Sequence, residues 1–520
     1  MNNSTHCRRP GASLLAAILV VASGLSPSAA ASPGASKPKP NIVFIEVDDL
    51  CHKYLGCFGN KVVKTPNIDS IASQGVLFRN AVCQGMMCGP SRNSLITGRY
   101  PHNLGLYQNR QIGKLPAGTW TLPAALQRSG YFTALVGKSH LRPPTPPGAE
   151  ARKSKIEQGT IALRRSMGFD YTFHSLGRSM LSKGRKRGQD EYIDSLLDRG
   201  LYERYIQGLG KPTTLDEDLE YMDGFFTTTA LTWLHSYNTD KPFFLWVNYS
   251  CPHGPHDVPQ KYHDLYKPQD MPPIIPAQPH GLPEALVPER GKESTGEQIL
   301  AARLGHAASV TYVDRQVGRM IDGLREKGLL ENTVLVFFSD QGSQMGDHGL
   351  LGKDTLFKET INPSLIVSWP ASFRKGATEL RPVELTDLVK MSLDLAEAPA
   401  GEKQKPHGYS LLPLLTGNGS YERPGPAFGE IEGLVVAVTE RFKYISHERR
   451  PVLFDLQADP DELHNVIEQH PAVAADLKAQ VGEWLRTTRP VLKAGALRPA
   501  NVTRRNSPSD AQFSRSEELP

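Results

Sequence analysis

Four short runs of nearly uninterrupted apolar residues, each ending in charged or ionisable side chains, constrain this 520-residue chain more than any other feature. Residues 41–47 end at Asp48 and Asp49, and 131–137 run into Lys138 and His140. Residues 242–249 lead to His253 and His256, and 333–339 to Asp340 and Gln341. Such runs, lacking polar alternation, read as strands buried on both faces. Helical patterns precede them. The clearest is the stripe Val310, Val313, Val317, Ile321 and Leu324, closed by Gly328. Helices alternating with buried strands predict an α/β domain with a mainly parallel sheet between helices. Ligands bind such sheets beyond the carboxyl ends of the strands. Four endings rich in ionisable groups therefore predict one active site along one sheet edge.

The remaining segments fall around this unit. Arg8 and Arg9, an apolar run at 14–21 and small residues at 28–31 predict a signal peptide over 1–31. The run is too short to span ~30 Å of hydrocarbon, so the expectation is a secreted or periplasmic protein with no stable membrane insertion. Residues 32–40 form a Pro/Ser/Lys linker and 41–417 the catalytic α/β domain. Within it, 142–210 and 257–298 look like insertions, either of which could shape a substrate pocket. Strand candidates at 434–438, 442–445 and 452–456 precede a helical stripe of Val473, Leu477, Val481 and Trp484. They predict a smaller antiparallel sheet plus helix within a subdomain at 418–493. Residues 494–520 are polar and expected to be disordered. The formal charge is +5, falling to about +3 if Arg8 and Arg9 are cleaved away. That mild excess gives no support for a nucleic-acid partner, and it suits an anionic small molecule or sulfated glycan. Cleavage would leave Cys51, Cys57, Cys83, Cys88 and Cys251, whose pairing the sequence leaves open.

The chemistry gathers around Cys88, Gly89, Pro90, Ser91 and Arg92, followed by Thr97, Gly98 and Arg99. Pro90 can open a helix and Gly98 can close it. Cys88 would then sit at a helix N-terminus, where free N–H groups favour an anion. An unmodified thiol there would have a lowered pKa, which keeps a thiolate nucleophile as an alternative. Asp48, Asp49, Asp340 and Gln341 form an all-oxygen set suited to a hard cation, with Ca²⁺ favoured over Mg²⁺. Lys138, His140, His253 and Lys353 could neutralise anionic oxygens and move protons. His256 and His348 are the candidates for substrate contacts.

These motifs, in this order, resemble the type I sulfatase family of the alkaline-phosphatase-like superfamily. The resemblance runs from about residue 41 to 466. It includes Thr65, Pro66, Asn67, Ile68 and Asp69, then Gly137, Lys138, Ser139 and His140, then Pro252 and His253. Further on come Ser339, Asp340, Gln341 and Gly342, then Gly346, Asp347, His348 and Gly349, then Lys353, and finally Phe454, Asp455 and Leu456 to Asn465. The resemblance implies that a maturation enzyme oxidises Cys88 to formylglycine. It implies a cation held by Asp48, Asp49, Asp340, Gln341 and the modified Cys88. Arg92 and Lys138 would stabilise the aldehyde hydrate and bind sulfate, and His140 would assist sulfate elimination. His253 and Lys353 would bind sulfate and protonate the leaving alcohol. One hydroxyl of the hydrate would attack sulfur, and deprotonation of the second would expel sulfate. Serine lacks that second hydroxyl, which is a physical reason for needing an aldehyde. Two positions depart from the family pattern. Gln341 stands where many relatives have Asn or His, and Cys51 follows Asp48, Asp49 and Leu50.

The expected activity is therefore hydrolysis of sulfate esters, most plausibly on sulfated carbohydrate. The alternative is a phosphonate or phosphate ester hydrolase on the same scaffold. A two-zinc phosphatase would need further His ligands at these strand ends. A glycan-binding protein without activity would not need Cys88, Arg92, Lys138 and His253 together.

Overall fold

The first strand, β1 (Asn41–Asp48), is buried along its whole length. Ile42 and Phe44 enter one hydrophobic core, while Val43, Ile45 and Val47 enter another on the opposite face. Two-faced burial is what an uninterrupted apolar run requires. The computed structural model describes residues 38–488 except 110–114, 116–117, 142–165, 179–180, 182–186, 188–189, 277–293, 402–404 and 422. The signal segment, most of the linker, the tail and large parts of both insertions lie outside the described residues.

β1 is the centre of an eight-stranded sheet. The other strands are β2 (Gly75–Phe78), β3 (Phe132–Lys138), β4 (Tyr171–Ser175), β5 (Phe243–Pro252), β6 (Thr333–Ser339), β7 (Leu365–Ser368) and β8 (Ala377–Glu379). Their order is β8-β2-β7-β6-β1-β5-β3-β4. The half from β6 to β4 is parallel throughout, as expected. β7 runs antiparallel to both β6 and β2. Its four residues, and the three of β8, are too short to stand out by periodicity.

Helices cover both faces. They include α1 (Pro66–Ser73), α2 (Cys88–Thr97), α3 (Leu122–Arg128), α4 (Glu191–Asp198), α5 (Met222–Ser236), α6 (Gly296–Glu326) and α7 (Asp387–Leu395). α6 is the helix of the valine stripe. Its N-cap Thr295 accepts a bond from the Gln298 N–H, and Gln298 answers in a capping box. Midway along it, the Asp314 carboxylate accepts the N–H of Ile68 at 2.8 Å, capping α1 from a distant helix.

The C-terminal part is a four-stranded antiparallel sheet of β9 (Ala427–Ile431), β10 (Leu434–Val438), β11 (Phe442–Ile445) and β12 (Val452–Asp455). Three of these strands were legible in advance, and β9 was not. α8 (Pro471–Thr488) lays Leu477, Val481 and Trp484 against Val435, Ala437, Tyr444 and Leu453. No helix among the described residues is long and apolar enough to cross a membrane.

Candidate active site

Parallel register puts the strand endings level. Val47 pairs with Ser339, Glu46 with Asn248, and Gly137 with Asn248. Gly137 has φ +107°, and a Cβ there would lie 2.0 Å from the Asn248 carbonyl oxygen. Only glycine allows β3 and β5 to approach this closely just before Lys138. Asp49 itself has φ +62°, a strained turn that directs its carboxylate back over the sheet edge.

α2 starts at Cys88, two residues before Pro90, with Met87 as N-cap and Gly98 in the left-handed region as C-cap. All ten of its residues are buried. The Gly89 N–H is taken by Asn109 Oδ1 at 2.8 Å, and the Ser91 hydroxyl donates to the Asp340 carbonyl at 2.5 Å. These bonds hold the start of α2 against the sheet edge.

Ligand atoms of Asp48, Asp49, Cys88 and Asp340 lie within 4.8 Å of one another, all buried. Cys88 Sγ is 3.0 Å from Asp48 Oδ1, 3.7 Å from Asp49 Oδ1 and 3.4 Å from Gln341 Nε2. Cations surround the same sulfur. Lys353 Nζ lies 2.9 Å from it and 2.7 and 2.8 Å from the two Asp49 oxygens. Lys138 Nζ pairs with Asp48 and lies 3.9 Å from Cys88 Sγ. Arg92 Nε donates to Asp340 Oδ2 at 2.8 Å. His253 Nε2 is 3.6 Å from Asp49 Oδ2, and its Nδ1–H donates to the Gly254 carbonyl at 2.6 Å.

The helix-terminal position does not lower the thiol. Burial pushes Cys88 up; Lys353 and Arg92 pull it down while Asp340 and Asp49 add to the rise. The expectation of a ready thiolate is corrected accordingly: desolvation outweighs the pull of Lys353 and Arg92. Burial, then Lys353, pulls Lys138 down to about 7. Burial works against the Lys353 charge, yet Asp49 and Cys88 hold it well above its ordinary value. Burial, then Lys353 and Lys138, keeps His253 neutral by driving it well below its ordinary value.

Sequence reasoning placed twelve residues here, and the fold brings nine of them together: Asp48, Asp49, Cys88, Arg92, Lys138, His253, Asp340, Gln341 and Lys353. His140 lies two residues past Lys138 with φ +47°, and its carbonyl accepts from Asn93 of α2 at 3.3 Å. The other two histidines make their hydrogen-bond and ring contacts outside the cluster, although His256 lies near enough to Asp49 for that carboxylate to act on its charge. His256 packs on α6, with Nδ1 3.3 Å from Ser309 Oγ. His348 is buried with its ring stacked on Phe357, centroids 3.9 Å apart, and it faces Glu359 at 3.6 Å. Its contacts are with Phe357 and Glu359 rather than with Cys88.

Several members escaped sequence reasoning. Asn248 Oδ1 accepts from Arg92 Nη1 at 3.3 Å, and Glu46 Oε2 lies 3.3 Å from the same nitrogen. Both are lone polar residues in apolar strands, which is the signal that could have exposed them. Arg178 donates to the His253 carbonyl at 2.7 Å, lies 3.0 Å from Cys251 Sγ and pairs with Asp257 at 2.6 Å. It lies inside an apparent insertion, where no pattern marks it. The five described cysteines are all free.

A divalent cation fits these residues. Three carboxylates converge, and the buried Gln341 Oε1 has no hydrogen-bond partner among the described residues. An orphaned acceptor beside clustered carboxylates is chemistry that an oxygen-seeking ion satisfies.

Comparison with known proteins places this geometry. The sulfatase family model matches residues 40–398, and the N-sulphoglucosamine sulphohydrolase C-terminal model matches 346–487. The chain is 28% identical over 461 residues to an arylsulfatase of Clostridium perfringens, covering 82% of this chain and 90% of that protein. It is 25% identical over 506 residues to an N-acetylglucosamine-6-O-sulfatase of Bacteroides thetaiotaomicron, covering 86% of each. The solved phosphonate monoester hydrolase of Agrobacterium radiobacter shares the fold, with a TM-score of 0.73 and 23% identity over 86% of this chain and 96% of that one. With its family model spanning the sheet, the Cys88 helix and every strand ending described above, this chain belongs to the sulfatase family of hydrolases.

Proposed function

We propose that the chain is an exported sulfatase acting on sulfated carbohydrate, with Cys88 carried as formylglycine and a divalent cation, Ca²⁺ favoured over Mg²⁺, at the four-residue oxygen set. The single observation that carries this reading is Cys88 seated among Asp48, Asp49, Asp340 and three cationic side chains. The apolar run at 14–21 supports export. The N-acetylglucosamine-6-O-sulfatase relative supports a sugar substrate. The cation, held by Asp48, Asp49, Asp340 and Gln341, would supply Lewis acidity toward a sulfate oxygen, and the hydrated aldehyde would supply the nucleophile.

The chain's own residues account for the remaining work. Arg92 is buried and Lys353 part-buried beside the reacting position, where fixed positive charge stabilises the trigonal-bipyramidal transition state strongly. Lys138, poised near neutrality, can accept and return a proton at Nζ. Lys353 carries its proton beside Asp49 and can deliver it toward the departing oxygen. His253 flanks the same carboxylate with its Nδ1 proton committed to Gly254, which leaves Nε2 facing the pocket.

Purified protein assayed on aryl sulfate, aryl phosphate and aryl phosphonate esters, then on sulfated mono- and disaccharides, tests the reading. Sulfate turnover should dominate, with at least one sulfated sugar hydrolysed. A preference for phosphonate or phosphate would replace this reading with the alternative. Mass spectrometry of the peptide from Gln84 to Arg92 should show a loss of ~18 Da, from the atom balance of thiol to aldehyde.

A further inference from the structure

Glu46 occupies a place where a carboxylate does not belong. Strand alternation puts it on the same face of β1 as Ile42 and Phe44, which pack in one core with Leu95 and Ile96 of α2. Its exposure is 0%. A carboxylate this deep persists only when a cation meets it.

Arg92 is that cation, and its contacts are asymmetric. Nη1 donates to the Lys138 carbonyl at 2.9 Å and to Asn248 Oδ1 at 3.3 Å, with Glu46 Oε2 also at 3.3 Å. Nε donates to Asp340 Oδ2 at 2.8 Å. Among the described residues neither Nη2 nor either Glu46 oxygen has a hydrogen-bond partner, so Glu46 meets Nη1 as an ion pair, and Nη2 is buried 4.0 Å from Asp48 Oδ1 on the cluster side. The guanidinium is therefore occupied from below and open toward the reacting position. Asp340 and Asp48 belong to the oxygen set that fits a cation, and Glu46 does not.

We propose that Glu46 is a positioning residue. It anchors Nη1 of Arg92 from beneath the sheet edge, while Asp340 holds Nε, so that Nη2 is presented to the sulfate-bearing ligand. This rests on the reading of the cluster as a sulfatase site, while the Glu46–Arg92 coupling itself is measurable without any turnover.

Two measurements on the full chain test it. In the first, melting temperatures are compared for wild type, Arg92→Met, Glu46→Gln and the double variant, all without substrate. Arg92→Met strands the carboxylate and should lower the melting temperature by roughly 5 °C or more. Adding Glu46→Gln should recover at least half of that fall. Additive losses would overturn the proposal. In the second, aryl sulfate kinetics are taken on Glu46→Gln and Glu46→Asp, with peptide mass confirming equal conversion of Cys88. Glu46→Gln should lower kcat about tenfold with KM within about threefold of wild type, because a misplaced Nη2 weakens transition-state contacts. Glu46→Asp, which keeps the charge on a shorter arm, should restore part of the loss. A folded Glu46→Gln with kcat within twofold of wild type would also overturn it. If Glu46→Gln alone does not fold, the double variant must melt above Arg92→Met, or the proposal fails. If wild type itself turns over no sulfate ester, the activity reading falls and the melting cycle still decides the coupling.

Discussion

At the scale of single residues, the site is a dense exchange of charge in a dry setting. Lys353 touches Asp49 and Cys88 at once, so it is the cation closest to the nucleophile's position. Lys353→Met should lower kcat/KM for aryl sulfate by about 10²–10³-fold, or roughly 3–4 kcal/mol of transition-state stabilisation. Loss of less than a factor of five would place Lys353 outside the reaction. Cys88→Ser offers a sharper contrast. A seryl oxygen can attack sulfur once and has no second hydroxyl to release it. The expected outcome is a stoichiometric burst at most, followed by no turnover, read by rapid quench. Steady multiple turnover by that variant would exclude the aldehyde route.

At the scale of elements, one close approach decides whether the edge forms at all. β3 and β5 come together at Gly137, whose φ of +107° and missing Cβ admit the Asn248 carbonyl. Gly137→Ala should cost on the order of 3 kcal/mol or more, measured by urea denaturation, because both the dihedral and the contact are refused. An unchanged midpoint would mean that the strands are not held at this separation. The element scale is also where prediction from pattern ran short. The four long strands announced themselves through apolar content, and each ended where expected to within a few residues. β2, β7, β8 and β9 have three to five residues each and are set by pairing with neighbours distant in sequence. Nothing local distinguishes such segments from loops. Likewise, Pro90 indicated a helix start correctly in kind, while α2 begins two residues earlier, at Cys88.

At the scale of the whole molecule, pH and cation act as global levers. His52 and His407 are each lowered to about 4, in both cases first by burial. Folded, they stay neutral, while unfolded they titrate near 6.5. Between those values the unfolded chain binds more protons, so their contribution to stability is complete above pH 6.5 and is lost as pH falls toward 4. Denaturant midpoints should therefore drop between pH 7.5 and pH 5, and His407→Gln should flatten part of that slope. A wild-type midpoint independent of pH across this window would contradict the burial of these rings. Chelation is the second lever. A cation at 100 times its dissociation constant stabilises the fold by about 2.7 kcal/mol. EDTA should lower the melting temperature and abolish sulfate turnover, and added Ca²⁺ should restore both. Indifference of both readouts to EDTA would remove the cation from the site.

What the linear chain determined by itself was the architecture's logic and the cast of the site. Uninterrupted apolar runs force two-faced burial, two-faced burial requires helices on both sides, and polar residues at strand ends must then share one edge. Those are local properties of composition, readable one segment at a time. What only the tertiary structure decided was which groups face each other and in what electrostatic state. Burial lifted the Cys88 thiol that a helix N-terminus alone would lower. It closed His348 behind Phe357, and it brought Glu46, Asn248 and Arg178 under Arg92 and His253 from strands and segments far apart in sequence. Desolvation and through-space charge depend on neighbours distant along the chain, so no local pattern encodes them.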